Sequence, residues 1–113
     1  MAFDVITPTR FGAAELAIAP TLTTIRTTPV LARDILKTID IANNGAAAAT
    51  VSVYLVPSAG TAGASNLLIP AVIIPRNSIF QWSGAQVTSA GATIQARSSI
   101  AGVTLTASGG EAV

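Results

Sequence analysis

The sequence predicts an all-β protein: a single β-sandwich or jelly-roll-like domain over residues 32–113, preceded by an extended N-terminal arm over residues 1–31. Three observations predict it. Past residue 30 the chain breaks into six short runs with a two-residue apolar period, the signature of strands with one buried face. Gly, Asn and Ser clusters separate those runs at hairpin spacing. Ahead of them, Pro8, Pro20 and Pro29 are widely spaced, and proline removes a backbone donor and fixes φ, which rules out a long helix.

Within the arm, "ELAIA" and "TLTTIRTT" predict short strands at 14–19 and 21–27. The first run of the sandwich, "ILKTIDIAN" (35–43), places Ile35, Ile39 and Ile41 inward and Thr38 and Asp40 outward. "NNG" (43–45) supplies residues that tolerate positive φ, as a tight turn requires. "TVSVYLV" (50–56) alternates Val51, Val53 and Leu55 against Thr50, Ser52 and Tyr54, and stops at Pro57. "SAGTAGASN" (58–66) is a loop of small residues. "LLIPAVIIP" (67–75) is a strand that Pro70 confines to a sheet edge or a bulge. "SIFQWSG" (78–84), "TIQARSS" (93–99) and "GVTLTASG" (102–109) complete the set, the last with Val103, Leu105 and Ala107 on one side.

Composition narrows the function classes. Of 113 residues, half are hydrophobic and only 10% are charged, against about 25% in a typical soluble domain. The charges are also uneven: residues 1–40 hold eight of the eleven. A surface of Ser, Thr, Ala and Gly in place of charge suggests one covered by neighbours, the alternative being a neutral β-domain wetted by its hydroxyls. The most apolar run is nine residues broken by Pro70 and Pro75, too short for a spanning helix of about twenty, so no membrane is expected. Nor does the N-terminus have the layout of a standard export signal. Six basic residues scattered singly lack the stripe of a nucleic-acid binder.

The side chains offer little chemistry. With no His and no Cys, Ser–His–Asp and Cys–His arrangements and the common zinc sets are unavailable. Of the five acids, only Asp34 and Asp40 are near one another, and each neighbours a base (Arg33, Lys37), which reads as solvated ion pairing rather than a glycosidase pair. "SAGTAGAS" lacks the Lys-Ser/Thr ending of a phosphate loop. The expectation is a protein that is not an enzyme and takes no cofactor or metal. Tyr54 and Trp82 have the chemistry to stack on a sugar, but packing in the core or at its rim with the polar tip satisfied is the favoured expectation.

From about residue 33 onward the chain resembles small virion structural proteins of tailed bacteriophages. The elements that carry the resemblance are "TVSVYLVP" (50–57), "SAGTAG" (58–63), the pair Gln86–Val87 and Gly91 to Ile94–Gln95–Ala96, and the closing Ser108, Gly109 and Glu111. They follow an Asn-containing turn at Asn43, and together the match spans roughly 80 residues. Ala85 and Ala92 depart from the pattern, the latter where an acid is expected, and both make the chain more neutral.

The resemblance implies a head decoration or cement protein that bridges subunits of a capsid lattice. It would partner the major capsid protein or other virion proteins as a homo-oligomer, with a trimer preferred. Its location would be the virion, assembled in the host cytoplasm. A neck or tail component, such as an adaptor or fibre-base module, is the nearest alternative, and a carbohydrate-binding sandwich for host attachment is a third. The side chains expected to reach a neighbour are Phe3, Arg10, Phe11 and Arg26 on the arm, which lies outside the resemblance, and Tyr54 and Trp82 on the sandwich; Phe3 and Phe11 are equally expected to fold back as a lid on the same domain. On this division, deletion of residues 1–20 leaves the sandwich folded.

Overall fold

Alternating apolar residues need a second layer to bury against, and the chain supplies it by folding into two four-stranded antiparallel sheets. The computed structural model describes residues 5–113. Its strands are β1 (Ile6–Glu15), β2 (Thr23–Thr27), β3 (Arg33–Asn43), β4 (Ala49–Val56), β5 (Leu67–Ile74), β6 (Ser78–Thr88), β7 (Thr93–Ser98) and β8 (Val103–Ala112), with one 3-10 turn at Ala64–Asn66.

The first sheet has the order β1-β8-β3-β6 and the second β2-β7-β4-β5. Each strand thus pairs with its counterpart from the other end of the chain: β1 with β8, β2 with β7, β3 with β6, β4 with β5. A long hairpin rolled over on itself gives this order, which is the jelly roll. The chain passes from one sheet to the other between Leu16, whose N–H donates to the Val103 carbonyl, and Ala17 and Ala19, which bond Ser98.

The core lies between the sheets. Leu36, Ile39 and Ile41 of β3 and Val103, Leu105 and Ala107 of β8 meet Val51 and Val53 of β4 and Ile94 and Ala96 of β7, all essentially without exposure. The alternation expected in β8 is therefore realised, and in β4 it holds for Val51 and Val53, while Leu55 is only partly buried and Tyr54 is buried against expectation. In β3 it is half realised: Leu36 is buried in place of Ile35, while Ile39 and Ile41 are buried as expected. A β-bulge explains the difference. Lys37 has no counterpart on β8, because Leu36 faces Gly109 and Thr38 faces Ser108, and one extra residue exchanges the inward and outward sets. A second bulge lies beside it, where β1 inserts Phe11 between Arg10, facing Ser108, and Gly12, facing Ala107.

The N-terminal residues correct the expected division of the chain. Residues 6–27 are not an arm outside the sandwich. β1 is an edge of the first sheet and β2 an edge of the second, and Phe11 and Leu16 belong to the core. The sequence misleads here because a strand on a sheet edge tolerates the proline and polar residues that otherwise suggest an extended tail. Pro70 does sit on an edge strand, β5, whose pairing with β4 is irregular between Val51 and Tyr54.

The turn after β3 also works differently from the expectation. Positive φ falls not in Asn43–Gly45 but at Gly102, at 89°, which packs directly on Gly45. The turn is organised by the Asn43 side chain, whose Oδ1 accepts from the Gly45 N–H and whose Nδ2 donates to the carbonyls of Ala47 and Ile74.

Candidate functional site

The sequence-predicted side chains do not converge on one surface. Phe3 lies outside the described residues. Arg10 is exposed on the outer face of the first sheet, opposite Ser108. Phe11 is buried, because the bulge turns it into the core. Tyr54 is also buried, although its pairing with Gln95 puts it on the outer face of the second sheet. The Arg97 guanidinium stands 5.7 Å from its ring centre, and the 3-10 turn packs back on β4. Asn66 holds that loop in shape by accepting from the Gly63 N–H and donating to the Thr61 carbonyl.

Trp82 is half-buried against the core from β6, its ring lying over Gly84. The two aromatics thus belong to different sheets and form no common stacking platform.

Arg26 is committed inside the molecule. Its Nε donates to Asp34 Oδ2 at 2.8 Å, and its Nη2 donates to Asp34 Oδ1 at 3.0 Å and to Glu111 Oε2 at 2.8 Å. The Phe11 ring lies beneath the guanidinium, 5.0 Å from its centre, a cation–π arrangement. The Thr28 hydroxyl donates to Asp34 Oδ2 and shares a further hydrogen bond with Thr88. Asp34 itself is fully buried, which corrects the expectation of a solvated pair with its neighbour Arg33.

This cluster joins β2 of the second sheet to β3 and β8 of the first. It holds the arginine pKa above its usual value, chiefly through the hydrogen bond to Asp34, with burial opposing. A cation raised in this way contributes stability that is lost, on the alkaline side, only in strong base. The alternation read along β3 gave no signal for the cluster, because Asp34 shares the parity of Leu36, and the bulge at Lys37 is what turns both inward. Only the pairing of the sheets brings Glu111 to Arg26 from 85 positions away.

With three of the eleven charges engaged in that cluster, the exterior is more neutral than composition implies. Outward rows on β8 and β3 present Thr104, Thr106, Ser108 and Thr38. The β3 row also holds Lys37 and Asp40, and large apolar side chains stand exposed elsewhere: Ile79 (67%) and Val87 (61%) on β6, Ile73 (69%) on β5, and Val30 (82%) and Leu31 (64%) between β2 and β3. Leu31 is held at a φ of 66°, which a bulky side chain adopts only under strain.

Two neutral depressions flank Leu55 and Pro57. One, of about 240 Å³, is bounded by Val87–Ala90 and Ala92, and the other, of about 480 Å³, by Ser65–Leu68 and Gln86. Neither is lined by a charged side chain. Among the described residues, no group of three acidic, His or Cys side chains is placed to hold a metal, and no helix is long and apolar enough to cross a membrane.

No protein-family model and no curated protein matches the chain. Among solved structures it is similar to chains of infectious bursal disease virus. For the Gx strain structure the TM-score is 0.44 at 7% identity, covering 95% of this chain and 30% of that one. For the Gt strain the values are 0.34, 9%, 95% and 32%. For the VP2 subviral particle they are 0.26, 12%, 93% and 37%. The chain thus spans about a third of the length of each chain it resembles. At such TM-scores the likeness bears on neither activity nor partners, and the fold assignment rests on the strand order.

Proposed function

We propose that the protein is a structural component of a bacteriophage virion, a decoration or cement subunit that binds the major capsid protein, with a non-catalytic role. The observation that carries the reading is the exterior: sparse charge, Thr/Ser rows on β8, and exposed apolar side chains such as Val30, Ile73 and Val87 on other parts of the surface. Water covers such a surface poorly, and protein contact covers it well. The phage-like motifs in β4, β7 and β8 agree with it, and jelly rolls host capsid subunits among other functions, an argument by analogy of fold only. Many weak neutral contacts, repeated over a symmetric lattice, add to firm attachment.

Quantitative mass spectrometry of purified particles tests this. A ratio near one copy per major capsid protein is expected. A few copies per hundred would assign the protein to the neck or tail, and absence from particles would overturn the virion reading.

A further inference from the structure

Four strands form the edges of the two sheets: β1 and β6 of the first, β2 and β5 of the second. An edge strand presents unpaired backbone N–H and C=O groups, and natural sheets block them with charge, proline, bulges or shortness. All four pair with some irregularity of register, and three of them also carry charge or proline. β1 carries Pro8, Arg10, Glu15 and the bulge at Phe11. β2 is five residues long, with Arg26 and a register shift. β5 carries Pro70, broken register, and Ala71 at a φ of 35°. β6 has neither charge nor proline over its eleven residues, "SIFQWSGAQVT", and its one irregularity is a register shift that sets Gly84 and Ala85 against Lys37 of β3.

The side chains of β6 add a second, independent feature. Across the bulge its own alternation is unbroken, since Ser83 faces Thr38 and Val87 faces Ile35. Its outward row therefore reads Ile79, Gln81, Ser83, Ala85, Val87. That row places an exposed apolar side chain at the same distance on either side of Ser83: Ile79 at 67% and Val87 at 61%.

We infer that β6 is a self-association edge that pairs antiparallel with β6 of a second copy about a two-fold axis at Ser83. In that register Ile79 of each copy meets Val87 of the other, Gln81 meets Ala85, and the two first sheets join into one continuous sheet. An isologous contact must satisfy each residue against its own image. A neutral strand does so with no like-charge pair across the axis.

This deepens the proposed function by naming a second copy of the chain as partner. Its test reads association of the isolated protein, so it fails separately from particle incorporation. Sedimentation of high-micromolar wild-type protein should show a dimer. Ser83→Lys, at an exposed position, sets two ammonium groups face to face and should weaken the dimer at least about tenfold, with circular dichroism unchanged. Thr104→Lys, on the outer face of β8 two strands away, should leave association intact.

Ser83→Cys should form a disulfide-linked dimer on mild oxidation, because opposed residues of an antiparallel pair lie about 4.5–5.5 Å apart at Cα, within disulfide reach. Should Ser83→Lys fail to fold, this cross-link decides. A monomeric wild type, an assembly insensitive to Ser83→Lys, a loss of association with Thr104→Lys instead, or no cross-linked dimer from Ser83→Cys would each overturn the inference.

Discussion

Arg26 and Asp34 belong to opposite sheets, yet they meet through two parallel hydrogen bonds of 2.8 and 3.0 Å around a carboxylate that is fully buried. The planar fork of the guanidinium matches the carboxylate and still has an N–H for Glu111. The pair fastens one end of the sandwich where the apolar core gives way to Thr28 and Thr88.

Removal of the cation alone leaves Asp34 buried and unpaired. Arg26→Met should therefore cost about 3–5 kcal/mol, read as a lowered urea midpoint. Arg26→Lys should rescue only in part, because an ammonium cannot reproduce the bidentate contact. Glu111→Gln, at a position 29% exposed, should cost less than about 1 kcal/mol.

Deletion of residues 1–20 should abolish cooperative unfolding rather than spare the sandwich. It removes β1, which lies along β8 from Ile6 to Glu15, and takes Phe11 and Leu16 out of the core. Each large-to-nothing loss there exceeds the roughly 2–5 kcal/mol of a core truncation to alanine. Thermal circular dichroism checks it: a retained sharp transition would mean that the edge strand is dispensable.

Gly109 stands where β8 passes the bulge of β3. A Cβ at this position would overlap the Ile35 carbonyl oxygen and lie 3.0 Å from the Phe11 ring. Gly109→Ala should destabilise by about 3 kcal/mol, the upper range for overpacking, while Gly63→Ala, with nothing within 4 Å, should be near neutral. Paired denaturant titrations of the two variants provide the comparison.

Asn43 is 2% exposed and makes three hydrogen bonds that tie the turn after β3 to the end of β5. Asn43→Ala leaves the Ile74 carbonyl without this donor in a buried place and should cost about 2–3 kcal/mol. Amide exchange should rise at Gly45, whose N–H loses its acceptor. Unchanged exchange there would show that the turn holds without the side chain.

Everything that depends on local alternation was legible in the chain before it folded. Val51 and Val53, Ile94 and Ala96, and Val103, Leu105 and Ala107 announce their buried faces because a strand has a period of two and needs no knowledge of its partner. The edge position of Pro70 is equally local, since a missing N–H is tolerable only where no ladder needs it. Which residues are extra, and which charges are enclosed, was settled only by the assembled sheets.

The bulges at Phe11 and Lys37 exist only relative to β8, so the inward turn of Phe11, and of Leu36 in place of Ile35, could not be read from either strand alone. Likewise Arg26 looks like a free basic residue until the rolled hairpin closes and sets Asp34 and Glu111 around it. An ion pair between opposite sheets is a property of the closure. Distance along the chain carries no trace of it.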